Sequence, residues 1–199
     1  MSVLILLAHP SPESFNAALA RKARETLKTL GYEVLFHDLY AEGFDPLLRA
    51  EERDKSGAQE ETIEHHCEEL SRCEGIIIIH PNWWGQPPAI LKGWIDRVLR
   101  PGVAYRFLEG DSGEGVPEGL LAGKTALVLN TSDTPMDRER TVFGDPLEVI
   151  WRQCVFAFCG LTHFRRKTFG VIVTSSPEQR KAWLEETAVL IGELFPKRD

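Results

Sequence analysis

Two adjacent tryptophans stand among turn-forming residues in the stretch HPNWWGQPP at residues 80–88. Trp83 and Trp84 could stack on a planar ring system or meet its edge, because indole rings make both kinds of contact. Gly85 permits a close approach of the backbone, and the two prolines after it stiffen the entry into the next helix. The stretch predicts one wall of a binding site, although one tryptophan could pack into the core and the other against a dimer partner.

A second stretch, HPSPESFN at residues 9–16, has residue types that can hold an anion. It leads from a predicted strand into a predicted helix, whose first backbone N–H groups and dipole attract negative charge. Ser14 and Asn16 add side-chain donors, and His9 could donate from above. Taken alone, however, the stretch is explained better by a plain helix cap than by a phosphate site.

A third stretch, NTSD at residues 130–133, supplies an amide, hydroxyls and backbone donors. These groups could bond the polar edge of a ring, and alone they would also suit an ordinary turn. The three stretches follow three predicted strands of one sheet. Together they offer features for a phosphate, for a flat ring and for its polar edge, and a flavin has these three parts in that order.

Short apolar runs alternate with helical patterns along the chain. The pattern predicts strands at residues 3–7, 34–36, 75–79 and 124–130 and a fifth strand within residues 164–174. It predicts helices at residues 17–30, 59–73, 89–99, 146–159 and from 177 onward. This alternation predicts an α/β fold, a doubly wound five-stranded parallel sheet in a three-layer α/β/α arrangement. Ligands bind at the carboxyl ends of such strands, where the three stretches lie. Residues 102–123, rich in glycine and acidic side chains, are predicted to form a long surface excursion.

Length and charge limit the classes of protein that fit. The 199 residues predict one domain, residues 1–199, and the net charge of −7 argues against a nucleic-acid partner. No apolar run approaches the roughly 18 residues that span a bilayer, and the first residues lack the basic leader of a signal peptide. We therefore expect a cytoplasmic protein without membrane insertion.

Several common catalytic motifs are absent from the sequence. It contains no G-x-x-x-x-G-K-[ST] phosphate loop, no G-x-G-x-x-G after the first strand and no G-x-S-x-G elbow. Its cysteines form no C-x-x-C pair, and we expect free, mostly buried thiols. His65, His66 and Cys67 adjoin one another on a predicted helix, where neighbours point in different directions, so we expect no metal site.

Three longer segments carry a resemblance to a known family. They are LAHPSPESFN at residues 7–16, DLYAEGFDPLL at residues 38–48 and PAILKGWIDRV at residues 88–98. In that order they resemble the NAD(P)H:quinone oxidoreductases and related flavodoxin-like NAD(P)H dehydrogenases. The resemblance implies a flavodoxin-like fold, a homodimer with its site at the interface, and a tightly held FAD or FMN. It also implies two-electron reduction of quinones or similar acceptors by NAD(P)H, through ping-pong hydride transfer.

The resemblance also implies the residues of the site, by position. The phosphate region of the flavin is assigned to His9, Ser14, Phe15 and Asn16. The flavin ring is assigned to Pro81, Asn82, Trp83 and Trp84, and its pyrimidine side to Asn130, Thr131, Ser132 and Asp133. The cover of the substrate pocket is assigned to Trp84, Tyr105 and Phe107.

The chain departs from the family pattern in its third loop. NTSD stands where the best-known members have T-T-G-G, and Asp137 and Phe143 stand where they have a tyrosine and a histidine that steady charge on the reduced flavin. Neither residue can play that part, although Arg138 or Arg140 could compensate. These departures leave open a low-turnover flavin-binding regulatory subunit, for example one ancillary to a potassium efflux system.

Two further alternatives concern the cofactor. A flavin-free hydrolase on the same fold remains conceivable, although the sequence offers it no supported nucleophile. Residues 40–57 are long enough to cover an adenine, which favours FAD over FMN. The sequence contains no recognisable clamp for a 2′-phosphate and so does not distinguish NADH from NADPH.

Overall fold

The apolar runs of the sequence become the strands of a parallel sheet in the computed structural model, which describes residues 1–53, 60–110 and 114–197. The strands of the described chain are Ser2–Leu7 (β1), Glu33–Asp38 (β2), Gly75–Pro81 (β3), Tyr105–Arg106 (β4), Glu118–Gly119 (β5), Thr125–Ser132 (β6) and His163–Gly170 (β7). Five of them pair in parallel, in the spatial order β2–β1–β3–β6–β7. The expected five-stranded parallel sheet is thereby confirmed.

Helices connect these strands and cover the sheet. Their bounds are Phe15–Thr29 (α1), Glu61–Arg72 (α2), Ala89–Val98 (α3), Met136–Thr141 (α4), Pro146–Val149 (α5) and Pro177–Leu194 (α6). A short 3₁₀ helix occupies Ala50–Arg53. Among the described residues, no helix combines the length and apolar character needed to cross a bilayer.

The central strand β1 shows how the sheet separates two hydrophobic layers. All six of its residues are buried, and successive side chains point to opposite faces. Leu4 and Leu6 pack on one face with Trp94 of α3, whereas Ile5 packs on the other face with Leu27 of α1. This arrangement confirms the three-layer α/β/α fold expected from the sequence.

The order of the strands reverses between β1 and β3, because β1 pairs with β2 on one side and with β3 on the other. Connections leave in opposite directions at such a point and open a crevice at the carboxyl edge of the sheet. The predicted loops after β1 and β3 flank this crevice, and the loop after the neighbouring β6 adjoins it.

Two of the family-like segments are held together by close packing. A Cβ on Gly93 of α3 would lie 2.3 Å from Pro46, so only glycine fits there without a shift. Arg97, one helical turn further, donates to the carbonyl of Asp45 at 2.6 Å and to Glu60 at 2.8 Å, and also binds Glu52. These contacts fasten the segment after β2 onto α3.

Two sequence expectations need correction. The predicted helix at residues 146–159 is α5 followed by a π-helix, Ile150–Ala157. The predicted excursion at residues 102–123 is partly built into the fold, since its described part pairs β4 with β5 and buries Ala104 and Leu121; residues 111–113 lie outside the described part.

The end of β7 at Gly170 has a physical reason and also shapes the site. A Cβ on Gly170 would lie 2.8 Å from the carbonyl oxygen of Ser132, and the chain then turns across the end of β6. The N–H of Ile172 donates to that same carbonyl at 3.1 Å. The turn brings the start of α6 to the crevice.

Candidate functional site

The three predicted loops meet in a polar cavity of about 400 Å³ at the carboxyl edge of the sheet. Ten of the twelve predicted cofactor residues line it: His9, Ser14, Phe15, Asn16, Pro81, Asn82, Trp83, Thr131, Ser132 and Asp133. Four residues that the sequence did not single out complete the lining: Glu13, Thr134, Ile172 and Arg180. The two exceptions among the predicted residues are Trp84 and Asn130.

The lining of the polar cavity includes donors suited to an anion. Ser14 caps α1, and its Oγ accepts a hydrogen bond from the N–H of Ala17 at 3.1 Å, which leaves the hydroxyl proton free to donate. The first N–H groups of α1 and the dipole of the helix favour negative charge there. Arg180 adds a guanidinium, held by the carbonyl of Ile172 at 3.0 Å and by Ser175 at 2.8 Å.

His9 lies at the same cavity with one ring nitrogen engaged. The backbone N–H of Ser11 lies 3.0 Å from His9 Nδ1, so Nε2 is the nitrogen available to a ligand. Partial burial lowers the pKa of His9 below its ordinary value. When Nδ1 accepts from the N–H of Ser11, a neutral ring carries its proton on Nε2. This histidine can donate a hydrogen bond without carrying a charge.

Asn16 links the first loop to the third. Its Nδ2 donates to Thr131 Oγ1 at 2.8 Å, and the side chain is buried. Its Oδ1, equally buried, is the one side-chain atom of its kind that finds no hydrogen-bond partner in the described chain. An unpaired buried acceptor costs about 1–3 kcal/mol, so this oxygen calls for a donor from a ligand.

Beneath the cavity lies a buried network that includes Asn130. His80 Nδ1 donates to the carbonyl of Pro81 at 2.8 Å, while His80 Nε2 accepts from Asn130 Nδ2 at 2.8 Å and from Trp151 Nε1 at 3.0 Å. Burial lowers the pKa of His80 to about 4, so the ring is neutral and its tautomer is set. Asn130 thus supports the site from below and does not line the cavity, contrary to the prediction.

The double-tryptophan stretch forms a tight turn. Trp83 and Gln86 exchange two backbone hydrogen bonds, of 3.1 and 2.9 Å, and both central residues have positive φ, 57° for Trp84 and 71° for Gly85. Asn82 Oδ1 accepts from the N–H of Gly85 at 3.0 Å and stabilises the turn. Trp84 is 99% exposed and points away from the core, whereas Trp83 is 41% exposed and lies beside His9.

On the other side of this turn lies an apolar cavity of about 440 Å³. It is lined by Asn82, Trp84, Gly85, Thr134, Glu139, Phe143 and Pro146. Asn82 and Thr134 also line the polar cavity, so the two cavities adjoin. The pair offers a polar groove for a phosphate-bearing chain and an apolar slot for a flat ring, and the residues present therefore fit a flavin.

The two residues that depart from the family pattern, Asp137 and Phe143, lie in different surroundings. Phe143 lies in the apolar cavity with Arg138 over its ring, 5.5 Å from the centroid, whereas Asp137 is exposed and lines neither cavity. The acid that faces the apolar cavity is Glu139, which the sequence reasoning missed. It is buried and accepts from Asn82 Nδ2 at 2.9 Å.

The predicted substrate cover is not assembled within one chain. Tyr105 lines two other cavities, one of them with Cys154 and Phe158, and neither includes Trp84. Phe107 packs on Tyr105, with ring centroids 5.8 Å apart. Neither residue lines the polar or the apolar cavity, so the assignment of Trp84, Tyr105 and Phe107 to one substrate pocket stays a prediction.

Comparisons with known proteins agree with this geometry. A family model described as a flavodoxin-like fold matches residues 1–190. The chain is 33% identical over 195 residues to an uncharacterized NAD(P)H oxidoreductase of Haemophilus influenzae, covering 94% of this chain and 93% of that one. It is 34% identical over 212 residues to the ribosyldihydronicotinamide dehydrogenase (quinone) of Mus musculus, covering 94% and 88%. An NAD(P)H:quinone oxidoreductase from Methanothermobacter marburgensis has a similar structure, with a TM-score of 0.80, 26% identity and coverage of 95% and 94%.

The crevice at the strand reversal, the polar cavity above it and the family match together define the class of the protein. The chain belongs to the flavodoxin-like family of α/β proteins. Within that family, its relatives above 30% identity make it an oxidoreductase of the NAD(P)H dehydrogenase (quinone) kind.

Proposed function

We propose that the protein binds a flavin across the adjoining polar and apolar cavities and uses it to pass two electrons from NAD(P)H to a quinone-type acceptor. One observation carries the proposal: the buried Oδ1 of Asn16 finds no partner in the described chain, in a cavity whose other groups are arranged to receive a ligand. A polar cavity with an unmet acceptor is one that a ligand completes.

The polar cavity supplies the binding energy for the phosphate-bearing chain. Ser14 Oγ, the first N–H groups of α1 and the guanidinium of Arg180 attract the negative charge. Asn16 Oδ1 accepts from a hydroxyl of the ligand. These four contributions explain why the first loop leads directly into a capped helix.

The apolar cavity supplies the surfaces for flat rings. A bound flavin accepts a hydride equivalent from a nicotinamide and delivers it to an acceptor. The residues of the chain orient the rings: Gly85 and Pro146 close one end, and Trp84 and Phe143 present aromatic surface. The cavity is open, so nicotinamide and acceptor can occupy the same place in turn, which predicts ping-pong kinetics.

A homodimer is part of the proposal. Trp84, Phe143 and Phe158 expose aromatic surface, and Tyr105 lines cavities separate from that of Trp84 within one chain. A second copy that packs against this surface would cover it and could complete the substrate pocket. The molar mass from light scattering after gel filtration checks this: twice the chain mass is expected, and a monomer contradicts it.

The experiment that tests the function is a visible absorption spectrum of the purified protein, recorded before and after NADPH or NADH is added anaerobically. We expect a flavin band that bleaches with the nicotinamide and recovers when a simple quinone is added. A band that neither nicotinamide bleaches would favour a flavin-binding regulatory protein. If no band is present and none appears after incubation with FAD and FMN, the flavin proposal is wrong.

The identity of the flavin follows from the same sample. We propose FAD over FMN because the segment after β2 is long enough to cover an adenine; of that segment, residues 54–59 lie outside the described part. Heat-released flavin, identified by its mass, distinguishes the two cofactors.

A further inference from the structure

A third cavity, of about 710 Å³, opens between the carboxyl end of β2 and helix α2. It shares no lining residue with the polar or the apolar cavity. Three histidines and four glutamates line it, together with Thr62: His37, His65, His66, Glu42, Glu61, Glu64 and Glu68. We call it the histidine cavity.

His37 is the centre of this group. It is buried near the end of β2, and each ring nitrogen meets a carboxylate. Nδ1 lies 3.0 and 3.1 Å from the two oxygens of Glu42, and Nε2 lies 2.6 Å from Glu69 Oε2. A divalent cation could take the place of the Nε2 proton, while Nδ1–H stays on Glu42.

Two further candidate ligands, His65 and Glu69, come from α2. His65 and Glu69 stand four residues apart on one face of the helix, with His65 Nε2 3.5 Å from Glu69 Oε1. The ligand atoms of His37, His65 and Glu69 all lie within 4.8 Å of one another. Ligand bonds of about 2.1 Å in a tetrahedral site place ligand atoms about 3.4 Å apart, so small side-chain movements close the site.

His66 lies closest to His37, with ring centroids 4.0 Å apart, but it is the wrong ligand. Trp94 Nε1 donates to His66 Nδ1 at 3.1 Å. Because Nδ1 accepts that hydrogen bond, the single proton of the neutral ring is on Nε2, the nitrogen that faces Glu42. A cation at that nitrogen would have to displace the proton or break the bond to Trp94.

Glu42 matches the outer partner that metal-bound histidines normally have. Such a histidine donates its second N–H to a carboxylate or carbonyl, which orients the ring and raises its basicity. Competition comes from Arg72, whose guanidinium lies 3.3 Å from Glu69 Oε1, but Arg72 is largely exposed and can turn to solvent. The rim glutamates Glu61, Glu64 and Glu68 attract cations.

We propose that His37 Nε2, His65 Nε2 and the carboxylate of Glu69 bind one divalent transition-metal ion, with Glu42 as the outer partner of His37. Two imidazoles and one carboxylate suit Zn²⁺ and its neighbours rather than Mg²⁺ or Ca²⁺, which prefer oxygen ligands alone. Three protein ligands leave a fourth position open to water. The ion would tie the edge strand β2 to α2.

This site could not be predicted from the sequence, because the neighbours His65, His66 and Cys67 point apart. Cys67 Sγ turns inward toward the carbonyl of Val98, at 3.8 Å. The ligand set forms only when the fold brings a strand histidine to a helical pair with a spacing of four. The expectation of no metal site rests on the adjacent residues His65, His66 and Cys67 alone.

The test is titration of the metal-stripped, untagged full-length protein with Zn²⁺ by calorimetry, and with Co²⁺ by visible absorption. We expect one ion per chain and Co²⁺ bands of a four- or five-coordinate site. A Zn²⁺ concentration about a hundredfold above the dissociation constant should raise the melting temperature by about 5–10 °C.

Variants assign the ligands. His65→Ala removes an exposed ligand and should weaken Zn²⁺ binding by about 100-fold or more, whereas Glu42→Gln should cost about 10–100-fold. His163→Ala is the matched control, since that exposed histidine lies on β7 and bonds Thr125. Cys154→Ser controls for the exposed thiol. Both controls should bind as the wild type does.

The proposal is overturned by either of two results. One is the absence of saturable Zn²⁺ binding in the wild type. The other is Zn²⁺ binding that survives His65→Ala unchanged; its loss in His163→Ala, Cys154→Ser or His66→Gln would then show where the ion binds instead. None of these results depends on flavin or on turnover, so the metal site and the proposed function stand or fall separately.

Discussion

The amide of Asn16, at the start of α1, donates to the hydroxyl of Thr131, near the end of β6, over 2.8 Å. The bond crosses 115 positions of the chain and joins the first loop of the site to the third. It uses the donor of the amide and leaves the buried Oδ1 acceptor unpaired in the described chain. Because Thr131 holds the amide of Asn16 in this orientation, Asn16 Oδ1 stays available to accept from a ligand.

Replacing Asn16 should therefore separate binding from stability. In Asn16→Ala, the lost hydrogen bond, about 1 kcal/mol, is offset by removal of an unpaired acceptor that costs about 1–3 kcal/mol. We expect the apoprotein's free energy of unfolding to change by less than about 1 kcal/mol, while flavin affinity falls about tenfold. Urea unfolding and fluorescence titration of the apoprotein measure the two quantities.

Thr131→Val is the comparison variant, because it strands Asn16 Nδ2 without removing Oδ1. It should lower the stability of the apoprotein by about 1–3 kcal/mol. Equal stability losses in both variants with unchanged flavin affinity would make Asn16 a structural residue only.

A substitution of Trp84 should also change binding and stability separately. Its φ of 57° is in the left-handed region, which costs a residue with a side chain about 1–2 kcal/mol relative to glycine, and its full exposure provides no packing in return. Trp84→Gly should therefore raise the free energy of unfolding of the single chain by about 0.5–1 kcal/mol. It should also raise KM for a quinone, because the apolar cavity loses one of its two aromatic surfaces.

Steady-state kinetics with NADPH and urea unfolding check both effects, and Trp83→Ala serves as the contrasting variant. Trp83 is more than half buried and lies 6.2 Å from the His9 ring, so its loss should destabilise the protein. A destabilised Trp84→Gly whose unfolding depends on protein concentration would show that Trp84 contributes to a subunit contact.

Most of the fold could be predicted because its signals are local. The continuous apolar runs of β1 and β3 identify buried parallel strands, and Ser14 is a recognisable cap. The π-helix Ile150–Ala157 could not be predicted, since its residues suit an α-helix equally well. Its apolar composition says that it is buried and does not say how it is wound.

The site could be predicted to the level of its loops but not of each side chain. Asn130 pairs with His80 across β6 and β3, and on strands buried on both faces a polar residue can face either side. Arg180 reaches the polar cavity only because β7 ends at Gly170 and the chain turns back. Neither relationship can be predicted from the spacing of residues in the sequence.

The buried histidines predict loss of stability in acid. Burial lowers the pKa of His80 from 6.5 to about 4, so between these values the unfolded chain takes up a proton that the folded chain does not. Stability is therefore lost as pH falls through this window, by about 2 kcal/mol for one such group between about pH 7 and pH 5. His66, with a pKa lowered to about 3 by burial, acts in the same direction.

His37 opposes this trend. Despite its burial, hydrogen bonds to Glu42 and Glu69 raise its pKa, so its stabilising contribution is complete at low pH and is lost as pH rises through its folded pKa. We expect the free energy of unfolding in urea to be about 2–4 kcal/mol lower at about pH 5 than at about pH 7. His80→Gln should remove about 2 kcal/mol of that difference, and an unchanged difference would contradict the assignment.

A pair of glycine substitutions tests whether Gly93, in the family-like segment of α3, serves packing or binding. Gly93→Ala would place a methyl group 2.3 Å from Pro46, and such overpacking costs about 1–3 kcal/mol or more. Gly192→Ala in α6 is the matched control, because a Cβ there meets nothing within 4 Å and alanine favours a helix by about 0.5–1 kcal/mol. We expect Gly93→Ala to lower the urea midpoint of unfolding and Gly192→Ala to raise it. Gly93 lines none of the cavities described, so flavin affinity should be unchanged when it is measured under conditions in which both variants are folded. A loss of affinity in fully folded Gly93→Ala would mean that the contact with Pro46 also positions the site.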